Sequence, residues 1–187
     1  MFSRRLASLI LRLLGWRSAF TPPPGPKSVI MFYPHTSNWD FPFGLLFKFN
    51  HYLIIHWAGK DSLFRWPLRR LFIRLGGVPI NRRERTGMIA QLLDVFTRSE
   101  SFHICIAPEG TRSRTDHWKS GFFRLTLAAN VPLGLGFIDY ASRRVGVEDW
   151  VTLSGNEETD LDMLRRYYAD KKAYAPEKAG EIRFRSS

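Results

Sequence analysis

The chain has 187 residues, of which 44% are hydrophobic and 14% aromatic, and a formal net charge of +11. That length fits one domain able to bury roughly two-thirds of its unfolded surface, and the apolar content excludes a disordered chain. The charge attracts phosphate-bearing partners (nucleic acid, anionic lipid or a phosphorylated substrate) without choosing among them, and the single cysteine, Cys105, excludes an internal disulfide.

Residues 2–16 place Leu6, Leu9, Ile10 and Leu13 at helical spacing, with Arg5, Ser8 and Arg12 on the other face. The stretch is too short and too charged to span a bilayer, and Arg12 interrupts any signal-peptide core. Two readings stay open: a helix packed on the domain, or one lying in an anionic membrane interface. Trp16 and the arginines, which no acid offsets, favour the interface for residues 1–20. Thr21-Pro22-Pro23-Pro24-Gly25-Pro26 predicts a stiff linker over 21–27, with the folded domain covering 28–187.

Val29-Ile30-Met31-Phe32-Tyr33 reads as a buried strand ending at Pro34. Asp40 to Phe49 predicts a helix with Phe41, Leu45, Leu46 and Phe49 inward and Pro42 tolerated in its first turn. Tyr52 to Trp57 is a second strand, closing at Ala58-Gly59-Lys60. Residues 63–75 predict a basic amphipathic helix whose Phe64, Leu68, Leu71, Phe72 and Leu75 cover the sheet; a membrane contact is the alternative. Gly76-Gly77 caps that helix, and Val78 to Arg82 runs on as a short strand or loop. Met88 to Phe96 is helical with Ile89, Leu92, Leu93 and Phe96 inward, and Phe102 to Ala107 is a strand.

Residues 116–121 read as polar loop, Phe122 to Ala129 as helix, Pro132 to Asp139 as strand and Arg143 to Leu153 as its hairpin partner. Ser154 and Glu157 fit a capping box opening a helix to about Lys172; the residues beyond are polar and basic and carry no signal. Strand–helix alternation predicts the α/β class: a single-domain αβα sandwich on a mostly parallel or mixed central sheet, preceded by the amphipathic helix.

Two stretches carry chemistry. In His35-Thr36-Ser37-Asn38-Trp39-Asp40 a base and a carboxylate stand where a strand hands over to a helix. If a tight turn brings them together, Asp40 fixes the imidazole tautomer and the free nitrogen takes a proton from a hydroxyl. The alternative is a helix N-terminal aspartate beside a satisfied loop histidine. In Ala107-Pro108-Glu109-Gly110-Thr111-Arg112-Ser113, Arg112, Thr111 and backbone amides form a phosphate cradle, unless Glu109 and Arg112 simply pair across a β-turn. The two loops share one edge if their strands run parallel. Trp39, Phe41 and Phe43 are candidates for an apolar groove, against the commoner role of aromatics as core. Cys105 reads as an inert strand cysteine, Ser37 lacks a nucleophile elbow, and the five histidines show no metal-ligand spacing.

His35-x4-Asp40 and Glu109-Gly110-Thr111-Arg112, in this order, resemble the paired marks of the glycerolipid (lysophospholipid) acyltransferase family. Gly76 to Arg82 is similar to its intermediate motif and Val131-Pro132 to its fourth, so the likeness covers about residues 28–140. The resemblance implies transfer of a fatty acyl group from acyl-CoA or an acyl carrier protein to a lysophospholipid-type hydroxyl, such as that of 1-acylglycerol-3-phosphate. It implies His35 as general base, Asp40 as its orienter, and a substrate phosphate held by Gly110, Thr111 and Arg112, with Arg82 and Lys60 as further cations. Glu109 then orients its loop. No cofactor or metal is implied, and the site of action is the cytoplasmic face of a membrane, held peripherally through anionic lipid. The chain departs from the family pattern at Pro34, in Leu133-Gly134-Leu135-Gly136, which lacks a second proline, and in its abbreviated amino-terminal segment. Competing readings are a different acceptor, or a non-catalytic basic module for anionic lipid or nucleic acid, although no nucleic-acid motif is present.

Overall fold

A run such as Val29-Ile30-Met31 has no polar side, so it is stable only as a strand covered on both faces. The computed structural model, which describes residues 4–80 and 85–185, places it at the centre of one seven-stranded sheet. In chain order the strands are β1 (Arg17–Phe20), β2 (Lys27–Phe32), β3 (Ile55–Lys60), β4 (Gly77–Ile80), β5 (Phe102–Ile106), β6 (Leu133–Asp139) and β7 (Arg144–Val151). They are ordered β1-β7-β6-β2-β5-β3-β4, and every neighbouring pair is parallel except the β6–β7 hairpin.

The helices are α1 (Arg4–Leu13), α2 (Asp40–Asn50), α3 (Arg69–Arg74), α4 (Arg85–Arg98), α5 (Gly121–Ala129) and α6 (Glu157–Tyr168). Strand side chains alternate, and the two faces carry separate cores. Val29, Met31 and Ile104 pack with Leu92 and Phe96 of α4, Phe122 and Leu125 of α5, and Leu161 and Leu164 of α6. Ile30, Ile138, Val145 and Val147 pack instead with Phe43 and Phe47 of α2, Leu11 of α1, and Trp16. The expected αβα sandwich is thus the observed one. At roughly 1.5–3 kcal/mol for each fully buried large aliphatic side chain, both layers contribute substantially to stability.

Several local expectations shift. The sheet begins upstream of the proline-rich segment: β1 lies within residues 1–20 and pairs in parallel with β7, Arg17 opposite Arg144. In α1 the buried residues are Ala7 and Leu11, which pack toward α2, while Leu6, Leu9 and Leu13 of the predicted apolar stripe face solvent. α2 sits where expected but buries Phe43 and Phe47 rather than Phe41, Leu45, Leu46 and Phe49, which are half-buried. The second strand starts later, at Ile55, because Tyr52 turns the chain with a positive φ of 52°.

Residues 63–75 do not form one helix. A single 3₁₀ turn, Asp61–Leu63, precedes the short α3, with Pro67 between them removing a backbone donor. Phe64 and Phe72 pack on Trp57, but Leu68 and Leu71, expected inward, are exposed, as is Trp66. The capping box gives way to Asn156, whose side chain accepts the Thr159 N–H; Ser154 N–H and Oγ–H instead donate to Asp160. Trp118, within a stretch read as polar loop, is buried and bridges to Phe184 of the C-terminal segment.

Candidate active site

β2 and β5 are adjacent and parallel, with Val29 opposite Ile104 and Met31 opposite Ile106, so the loops that follow them leave the same edge of the sheet. The first loop is folded by its own polar side chains. Trp39 N–H donates to Ser37 Oγ at 3.1 Å, and Ser37 N–H donates to Asp40 Oδ2 at 2.9 Å. These bonds close the tight turn that brings His35 Nδ1 to 3.0 Å from Asp40 Oδ2. The Asp40 side chain is 1% exposed and that of His35 21%, so the carboxylate is enclosed while the ring reaches a cavity. Nδ1–H given to Asp40 leaves Nε2 as the proton acceptor. Asp40 is also the first residue of α2, where the helix N-terminus favours negative charge.

Glu109 does not pair with Arg112. Its Oε2 accepts the His35 backbone N–H at 2.6 Å, and its Oε1 accepts the Gly180 N–H at 2.9 Å. One buried carboxylate thereby ties the two loops and the C-terminal segment together. Burial pushes the Glu109 carboxyl above its ordinary range, against the two backbone donors and His35, which pull it down. Gly110 follows with φ of +63°, and a Cβ there would lie 2.9 Å from the Lys119 side chain, so this turn requires glycine. Tyr33 O–H donates to the Gly180 carbonyl and Ala175 N–H to Thr36 Oγ1, further anchoring the His35 loop.

His35, Asp40, Gly110, Thr111, Arg112 and Lys60 all line one cavity of about 990 Å³, at the upper end of the range for small-molecule sites. Lys60 ends β3, and with Arg112 it stands exposed on the edge that carries His35. Arg82 lies outside the described residues. Lys119 and Arg124 join the lining, unforeseen in sequence because a polar loop and a helix bring them there. From the His35 edge the cavity runs between α2 and the sheet, against Phe32, Phe41, Gly44, Leu45, Ile55 and Cys105. Burial lifts the Cys105 thiol to about 12, so it is an apolar wall and not a nucleophile. Lys48 closes this lobe, its ammonium donating to the Ile55 and Leu75 carbonyls at 2.8 Å each. Of the three aromatics considered for a groove, Phe41 lines it, Phe43 is core against Trp16, and Trp39 is exposed.

Sequence reasoning also missed Tyr140, whose hydroxyl donates to Asp40 Oδ1 at 2.7 Å from a hundred residues away. Nothing in the local pattern around Asp139 could have revealed it, since the contact depends on β6 lying beside β2. Among the described residues no group of three or more His, Cys, Asp or Glu side chains is placed to hold a metal ion. No helix among them is long and apolar enough to cross a membrane.

An imidazole with one nitrogen engaged by a buried carboxylate, on a cavity that is edged by exposed cations, is the arrangement of a group-transfer enzyme. Residues 22–134 match the family model described as Acyltransferase, which covers both loops. The chain belongs to that family, the 1-acylglycerol-3-phosphate acyltransferase-like proteins, and is an acyltransferase. No curated protein and no solved structure matches it.

Proposed function

We propose that this chain moves a fatty acyl group from an acyl thioester, acyl-CoA or acyl carrier protein, to the hydroxyl of a lysophospholipid-type acceptor such as 1-acylglycerol-3-phosphate. The observation that carries this is the His35–Asp40 pair opening on the cavity between α2 and the sheet. A non-catalytic basic module has no use for a base oriented in this way.

His35 Nε2 takes the acceptor hydroxyl proton as that oxygen attacks the thioester carbonyl. The C–S bond breaks, the thiolate leaves, and the imidazolium returns the proton to sulfur. Asp40 holds the ring and offsets the imidazolium charge, and such general-base help is typically worth ~10²–10⁴ in rate. The thioester supplies its own leaving group, so the poor nucleophile is the partner that needs help. The acceptor phosphate lies against Arg112 and Thr111, where Gly110 lets the backbone approach closely, with Lys60 adding charge at the rim. The acyl chain occupies the lobe past Phe41, Gly44 and Leu45. The enzyme works peripherally on the cytoplasmic face of an anionic membrane. That is supported by Leu6, Leu9 and Leu13 standing in solvent beside Arg5 and Arg12 on α1.

The test is to incubate the full chain with acyl-CoA or acylated carrier protein and lysophosphatidate, following thiol release and product mass. Stoichiometric thiol and diacyl product support the proposal. No turnover with either donor across a broad panel of acceptors overturns it.

A further inference from the structure

We propose that Tyr140 is a positioning residue for acyl transfer, its hydroxyl fixing the carboxylate that orients the base. This rests on the reading of His35 as general base. Asp40 receives three donors: His35 Nδ1 at 3.0 Å and Ser37 N–H at 2.9 Å on Oδ2, and Tyr140 O–H at 2.7 Å on Oδ1. The two donors on Oδ2 come from the loop that also carries the base. Among the described residues only Tyr140 donates to Oδ1, and it does so from just beyond the C-terminal end of β6.

Tyr140 is itself held from several directions. Its backbone N–H donates to the Lys172 carbonyl at 2.9 Å. Its ring packs edge-on against Trp16, with centroids 5.0 Å apart, against Phe43 at 6.1 Å and against Tyr174 at 5.2 Å. The preceding residue, Asp139, accepts the Ala141 and Lys172 N–H groups and the Ser142 hydroxyl, which fixes the turn. A rigid phenol therefore meets a carboxylate that is 3% exposed overall, where an unmatched oxygen is costly.

Two consequences follow. The O–H donor prevents the Asp40 carboxyl from rotating away from the imidazole. It also draws negative charge from Asp40, so the carboxylate does not over-stabilise the imidazolium at the point where His35 must be neutral. The ionisable groups around the pair include Glu109, which accepts the His35 backbone N–H, Tyr174, packed on the Tyr140 ring, and the cations Lys60 and Arg112, which line the same cavity as His35 and are unchanged when the phenol oxygen is removed. None of them donates a described hydrogen bond to Asp40, so none replaces the phenol.

The test is Tyr140→Phe, which keeps the ring packing and removes one oxygen. kcat is expected to fall about tenfold or more with KM for donor and acceptor little changed, as for a lost charge-assisted hydrogen bond. The acidic limb of the kcat/KM profile is expected to move to higher pH, since an unrelieved Asp40 makes the imidazolium harder to deprotonate. The His35 ring is titrated in parallel by NMR in both proteins without substrate. A raised midpoint there supports the coupling even if no acyl acceptor turns over, which separates this proposal from the choice of reaction. An unchanged His35 titration, or wild-type kcat with an unmoved acidic limb, overturns it. Tyr140→Phe is expected to lower the melting temperature by the cost of one unmatched buried acceptor, and Tyr140→Leu, which loses packing as well, to lower it further.

Discussion

The interior position Gly44 tests the acyl-chain assignment most sharply. It lies in the middle of α2 and lines the cavity, and a Cβ built on it meets nothing within 4 Å. Gly44→Leu therefore extends its side chain into the space assigned to the hydrocarbon, not into neighbouring atoms. A mid-helix glycine is less favourable than leucine by several tenths of a kcal/mol to about 1 kcal/mol, so the variant is expected to fold at least as well. The new side chain displaces roughly three methylenes of a long acyl chain. At ~0.8 kcal/mol per buried methylene that is about 2.4 kcal/mol, or roughly fiftyfold in kcat/KM. The assay is thiol release across a homologous series of saturated acyl thioesters from short to long. The longest donors are expected to lose about that factor relative to the short ones, so the optimum moves to shorter chains. An unchanged chain-length profile, or a uniform loss at every length, refutes the placement of the chain between α2 and the sheet.

Other outcomes follow from single groups. Glu109→Gln sets an amide NH₂ against one of two backbone N–H donors, at a cost of about 1–3 kcal/mol, and loosens the His35 loop. Urea midpoint and kcat should fall together; an unaltered midpoint would show that Glu109 is not a brace. Burial holds His51, His56 and His103 below their ordinary pKa, so the folded state binds fewer protons than the unfolded chain as pH drops through about 6.5. That stability is present above this range and lost on acidification. The denaturation midpoint should be lower near pH 5.5 than near pH 7.5, and a flat or opposite trend contradicts the packing of these rings. The double change Leu9→Asp and Leu13→Asp alters two exposed residues of α1. Binding to phosphatidylglycerol vesicles should weaken about tenfold or more with the fold intact, and undiminished binding removes α1 from the membrane contact.

The sandwich was legible because the central strands β2, β5 and β6 are written as mostly apolar runs and lie where those segments of the sequence put them, whereas β1, with only Arg17–Phe20, gave no such run. The paired loops were legible for the same reason: once β2 and β5 are both strands, parallel pairing brings His35 near Glu109. What escaped sequence reading were contacts between residues far apart along the chain. Tyr140 reaches Asp40, and Gly180 reaches Glu109, through topology and not local pattern. The polar tail without a signal proved to be a strap under the site, with Phe184 seated beside Trp118 and Phe122. The helical stripe of α1 is periodic as read and points away from the domain, which removes the reading of that stripe as packed on it; periodicity fixes a face but not what that face meets. Likewise, the basic segment after β3 had helical spacing, but Pro67 interrupted it and left α3 with only six residues.

Acyl transfer by this site requires His35 to accept the proton of the acyl acceptor. Thiol release from an acyl thioester in the presence of lysophosphatidate, compared between the native chain and His35→Ala with matched circular dichroism and melting temperature, measures that directly. The predicted result is a loss of about 10²–10⁴ in kcat in a folded protein. Turnover near the native rate in His35→Ala would contradict it.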